Sequence, residues 1–150
     1  MERLALKKLI TWKNKKNRKP LILNGARQVG KTWLLKEFGF REYENIAYIN
    51  CDENQAIKEA FYDFDTERLI RVFSAISGES IKPVRTLIIL DEIQEVPIAL
   101  TSLKYFYENM PEYHIAVAGS MLGIGLHQGS GFPVGKVEEI NLYPWSFKEF

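Results

Sequence analysis

Cysteine is almost absent. Cys51 is the only one in 150 residues, so an internal disulfide is excluded. Histidine is nearly as scarce, and His114, His127 and one thiol are too few to assemble a Cys/His zinc cluster. A metal, if used, is expected to be held by oxygens. Long apolar runs are also missing: the longest are four residues, as in Leu87-Ile88-Ile89-Leu90, where a bilayer span needs about 20. A spanning helix is excluded, and no membrane partner is expected. Met1 is followed by Glu2 and Arg3 without the apolar stretch and small-residue cleavage site of a secretory signal, so the expected compartment is the cytoplasm. Charge of one sign is lacking as well. Lys and Arg total 20 against 19 Asp and Glu, a net charge of +1, so no strong overall field advertises nucleic acid.

What is present is 46% apolar residues, enough for the core of one compact domain. Leu6, Leu9, Ile10 and Lys13 fall near helical spacing, with Leu4 and Trp12 at the margins, which predicts an opening helix over residues 3–16. Five cationic side chains within Lys13–Lys19 then precede Pro20, a solvated connecting loop. Short apolar runs at Leu21–Leu23, Ile46–Ile49, Thr86–Leu90 and Ile115–Ala118 read as strands, with Val137–Leu142 as a fifth. Between them lie helical patterns: Trp33, Leu34, Leu35 and Phe38; Leu69, Val72, Phe73 and Ile76 after a capping Asp65; and Val96–Asn109 with Pro97 in its first turn. Apolar strands alternating with helices predict an α/β three-layer sandwich, a mainly parallel five-stranded sheet with helices on both faces.

Chemistry concentrates in Gly25-Ala26-Arg27-Gln28-Val29-Gly30-Lys31-Thr32, which matches G-x-x-x-x-G-K-[ST] between a predicted strand and a predicted helix. Polyphosphate needs many converging donors, and backbone N–H groups supply them where glycines at 25 and 30 permit the dihedrals and close approach. The helix aims its positive end at the anion, Lys31 reaches the β- and γ-phosphates, and Thr32 offers a hydroxyl to Mg²⁺. On its own the octapeptide also describes a plain strand-to-helix turn. A second feature decides between the two: Asp91 and Glu92 end the predicted strand Leu87–Leu90, at the sheet edge where ligands of parallel sheets bind. Asp91 suits the Mg²⁺ shell and Glu92 suits taking a proton from water, although alone the pair would serve as a helix cap. Ser120, after the strand Ile115–Ala118, is placed to touch the γ-phosphate or the attacking water; alone, Gly119-Ser120 is a common turn.

With these elements in order, the chain resembles P-loop ATPases of the AAA+ and related division, whose catalytic glutamate adjoins the Mg²⁺ aspartate. More narrowly it resembles a family of bacterial and archaeal AAA-type ATPases. The likeness runs through residues 21–32, Leu87–Gln94, Ser102-Leu103-Lys104, Ala118–Gly123 and 133–150. It implies an acidic strand not directly beside the phosphate-loop strand and ATP with Mg²⁺ as ligands. It also implies Lys31 and Thr32 as phosphate and metal residues, Asp91 as metal residue, Glu92 as base and Ser120 as a sensor. Such proteins continue into a lid and a carboxy-terminal domain, and Pro144–Phe150 begins an amphipathic pattern with no stop signal. Residues 1–150 are therefore expected to be the amino-terminal ATPase core of a longer protein, with an oligomer, a protein partner or DNA engaged through further regions.

The expected function is ATP binding and hydrolysis that drives a motor or switch; the alternative is a nucleotide-gated interaction module with little hydrolysis. A small-molecule kinase is disfavoured by Asp91-Glu92, and GTP by the absence of N-K-x-D. Arg27, Arg68, Arg71 and Arg85 are present, and no spacing assigns one to the transition state. The basic run, Gln94, Cys51 and the two histidines receive no catalytic part, and Gly125, Gly129, Gly131 and Gly135 predict a loop.

Overall fold

A computed structural model describes residues 2–25, 30–120 and 135–142. Ala26–Val29, the segment 121–134 with His127, and Pro144–Phe150 lie outside the described residues. The elements are α1 (Glu2–Lys13), β1 (Leu21–Gly25), α2 (Lys31–Glu42), β2 (Asn45–Asn50), α3 (Gln55–Ala60) and α4 (Thr66–Ser77). They continue with β3 (Thr86–Asp91), a 3-10 turn (Ile93–Glu95), α5 (Ile98–Asn109), β4 (His114–Gly119) and β5 (Glu138–Leu142).

All five strands are parallel, in the order β2-β3-β4-β1-β5, as the α/β alternation predicts. The acidic strand β3 is separated from the phosphate-loop strand β1 by β4. Strand pleating sorts the core. Ile22, Ile88, Leu90, Ile115 and Val117 pack with α3, α4 and α5, while Leu21, Leu23, Leu87, Ile89, Ala116 and Ala118 pack with α1 and α2. Each central strand is thus apolar on both faces, which is why these segments read as continuous apolar runs rather than alternating ones.

Local signals set several boundaries. The Asp65 side chain accepts from Arg68 N at 3.1 Å, and Gly78 closes α4 in the left-handed region at φ 73°. Three expectations are corrected. In α1 the buried face is Ala5, Leu9 and Trp12, with Leu6 and Ile10 only partly covered. Trp12 is core because its ring packs on Phe38 and its Nε1 donates to Lys19 O at 2.6 Å. In α2 the inward positions 31, 34, 35 and 38 leave Trp33 52% exposed, off the apolar stripe. Helix α3 has no strong apolar period and was not anticipated; it is fixed by the Asn54 cap to Ile57 N and by the buried Ile57 and Ala60.

The amino-terminal ends of the strands form a structural pole. His114 is 2% exposed, its Nδ1 lies 2.5 Å from Tyr43 Oη, its ring edge meets Trp12, and its Nε2 has no hydrogen-bond partner among the described residues. Burial, reinforced by Arg18 and Lys13, pushes the imidazole down from 6.5 to about 3. Between those values the unfolded chain binds a proton here that the folded chain does not. Stability is therefore full above pH 6.5 and is lost as the pH falls, at a slope approaching about 1.4 kcal/mol per pH unit. Urea unfolding of the parent at pH 7.5 and pH 5.0 should show a stability gap about 2 kcal/mol larger than the same gap in His114→Phe. Equal gaps would exclude His114 as the source.

Candidate nucleotide site

At the opposite, carboxyl edge of the sheet, β1 ends in Gly25, and Gly30, immediately before α2, has a φ of 83°, which is left-handed and suits glycine. Helix α2 then begins at Lys31, so the amides of its first turn and its positive end face this edge. Lys31 is 8% exposed, and its Nζ donates to Gly25 O at 2.9 Å, across the mouth of the loop. The structure describes Gly25, Gly30, Lys31 and Thr32; Ala26, Arg27, Gln28 and Val29 of the predicted cradle lie outside the described residues.

Two motifs meet here. Thr32 Oγ1 donates to Asp91 Oδ2 at 2.5 Å, joining residues 59 apart in sequence. Asp91 is 3% exposed and ends β3 at the carboxyl edge of the sheet, where ligands of parallel sheets bind. Its Oδ1 accepts from Glu92 N at 2.9 Å. The helix-cap alternative fails on geometry: Asp91 points at Thr32, and Glu92, at the cap position of the 3-10 turn, makes no side-chain cap bond. Glu92 is held in the left-handed region, φ 56° and ψ 45°, a conformation that costs a residue with a Cβ about 1–2 kcal/mol. Its Oε2 accepts from Gln94 Nε2 at 2.6 Å, and Gln94 Oε1 is buried without a partner among the described residues. Ser120 is half-buried one residue beyond the Asn24–Gly119 register pair, so it leaves the sheet between β1 and β3.

Residues not anticipated from sequence complete the site. Tyr48 Oη on β2 donates to Asp91 Oδ2 at 2.7 Å, and burial together with that bond holds the phenol above its ordinary pKa, hence protonated. Asn24 is buried before Gly25; its Nδ2 donates to Asn141 Oδ1 on β5 at 3.2 Å, and its Oδ1 lacks a partner among the described residues. Arg68 is engaged by Ala60 O and Asp63, and Arg85 pairs with Glu44 at the far edge, so neither is directed at this site.

A hydroxyl and a carboxylate converging at one partly buried point form a set of hard oxygen donors of the kind Mg²⁺ takes. No group of three or more His, Cys, Asp or Glu side chains suited to a metal occurs among the described residues, so such an ion would draw its other ligands from phosphate oxygens and water.

A parallel sheet in this order, with a glycine turn into α2 and a carboxylate one strand removed, defines the P-loop class of α/β nucleotide-binding domain. Within it, the family model described as AAA domain matches residues 17–150, and the chain belongs to that family of AAA-type ATPases. The Orc1 protein of Aeropyrum pernix, solved in complex with DNA, is similar in fold: TM-score 0.58, 18% identity, covering 97% of this chain and 44% of that one. This chain thus spans less than half the length of that relative. No curated protein matches it.

Cys51, following β2, is fully buried, and its N donates to Asp91 O at 2.8 Å. Burial, with the Asp91 and Glu92 carboxylates adding to it, pushes the thiol up to about 12. The native chain at pH 8 should therefore leave Cys51 unmodified by a thiol-specific reagent, while denatured chain should titrate one thiol. Rapid native labelling would show that the β2–β3 wall of the site opens.

Proposed function

We propose that this chain binds Mg-ATP at the carboxyl edge of β1 and β3 and, within the complete protein, hydrolyses it to drive a motor or conformational switch. The observation that carries the reading is the Thr32–Asp91 hydrogen bond, which brings the end of the glycine loop and the acidic strand to one point. In this proposal the loop from Gly25 to Gly30, with Ala26, Arg27, Gln28 and Val29, presents main-chain N–H groups to the β- and γ-phosphates. Lys31 exchanges Gly25 O for phosphate oxygen, a short movement of a flexible stem. Thr32 and Asp91 would hold Mg²⁺, which when bound neutralises phosphate charge as the leaving group departs. Glu92 takes the proton from water attacking the γ-phosphorus, and Ser120 contacts the γ-phosphate or that water. The reading treats residues 1–150 as the ATPase core of a longer protein, working in the cytoplasm where ATP and Mg²⁺ are supplied.

A second reading, a nucleotide-gated interaction module with little turnover, is favoured by one contact. Gln94 occupies Glu92 Oε2, so the base must be released before it can accept a proton. Partners and assembly belong to the proposal: another copy, a protein, or DNA, as in the Orc1 structure. Phosphate release with and without DNA separates these.

Lys31→Ala should weaken ATP affinity about tenfold or more by calorimetry, the loss of a charge-assisted contact of about 1.5–3 kcal/mol. Unchanged affinity removes Lys31 from the site. Glu92→Gln should retain Mg-ATP binding and abolish phosphate release by the complete protein. Equal steady-state rates for variant and parent would dismiss Glu92 as the base, and no release from either would support the second reading.

A further inference from the structure

We infer that Tyr48 is a positioning residue for Asp91 and that, resting on the Mg-ATP reading above, it sets how strongly the site couples nucleotide to its divalent cation. One carboxylate oxygen of Asp91 is shared by two donors. Asp91 Oδ2 accepts from Thr32 at 2.5 Å and from Tyr48 at 2.7 Å, while Oδ1 is held by Glu92 N at 2.9 Å. The three donors come from α2, β2 and the backbone of the acidic turn. Together they restrict both the rotation of the carboxylate and its approach to the loop. A carboxylate that turns freely spends much of its time aimed away from a cation, and a 1 Å displacement in such a constellation carries a large penalty in binding and rate.

Thr32 cannot supply that restriction alone, because in the same reading its oxygen also serves the cation. Tyr48 is placed to do so from the other side. In the β2–β3 register it lies opposite Ile89, two residues before Asp91, and both side chains point to the α2 face. The phenol crosses that diagonal, a reach of about 7–8 Å between neighbouring strands that suits an aromatic ring and exceeds a serine or threonine. The ring itself is held: Lys36, one turn beyond Thr32 on α2, places Nζ 4.0 Å from its centroid. A cation over the face draws electron density from the phenol and makes its O–H a better donor. Helix α2 therefore braces Asp91 twice, directly through Thr32 and indirectly through Lys36 and Tyr48.

Tyr48→Phe removes the hydroxyl and keeps the ring against Lys36. Calorimetric titration of the chain with ATP in EDTA, then with Mg²⁺ at saturating ATP, reads the effect without turnover. The variant should bind ATP in EDTA as the parent does, while the Mg²⁺ concentration for half-saturation rises about tenfold or more, the size expected for one hydrogen bond to a charged group. Tyr48→Leu should show the same rise, because the hydroxyl and not the ring carries the effect; urea unfolding of all three proteins accounts for any loss of fold. Unchanged Mg²⁺ dependence in Tyr48→Phe would overturn the inference, as would an equal weakening with and without Mg²⁺, which marks a structural role only. A parent chain that binds no ATP would instead overturn the nucleotide reading, and this inference with it.

Discussion

The hydrogen bond between Thr32 and Asp91 exists because five parallel strands end at one edge with β4 inserted between the two that matter. Without β4, the glycine turn after β1 and the acid ending β3 would be adjacent strands about 4.8 Å apart, with no room for a polyphosphate tail between them. With it, the gap is two strand spacings wide, and Thr32 reaches across from the first turn of α2. The remaining polar side chains at this edge are arranged around that gap: Lys31 at the loop mouth, Tyr48 behind the carboxylate, Gln94 on Glu92 and Ser120 at the end of the intervening strand.

The two ends of the sheet divide the work physically. At the amino-terminal end, polar atoms are buried among aromatics: Tyr43, His114, Trp12 and Phe38 interlock, and the imidazole stays neutral. At the carboxyl end, backbone strain and incomplete pairing occur together. Glu92 takes a left-handed backbone, and Asn24 Oδ1 and Gln94 Oε1 have no partner among the described residues. Buried polar groups normally find partners; His114 Nε2 at the aromatic pole is also without one among the described residues, but at the carboxyl edge the unpaired oxygens lie beside a strained backbone, where a ligand could complete the set.

Much of this was legible in order along the chain. Glycines at fixed spacing before Lys31 and Thr32, and carboxylates closing an apolar run, are local features whose meaning survives without coordinates. The cap at Asp65 was equally local, and the structure has it. Elements whose reason is not local were misread. Trp12 looked marginal on a helical wheel because its partner Phe38 is 26 residues away, and Trp33 looked internal because nothing in the sequence says which arc of α2 meets the sheet. Helix α3 escaped because its two buried residues, Ile57 and Ala60, are too few to make a period. Tyr48 passed as a strand aromatic, since its hydroxyl acquires meaning only once the register of β2 on β3 is known.

By itself the sequence determined the class of domain, the alternation of strands and helices, and the residue types of a phosphate and metal site, because each of these depends on neighbours within about ten positions. Tertiary structure alone decided the strand order, the register and hence which donors converge on Asp91. Those outcomes follow from packing two helical layers against a twisted sheet, a many-body balance in which no single residue carries the answer.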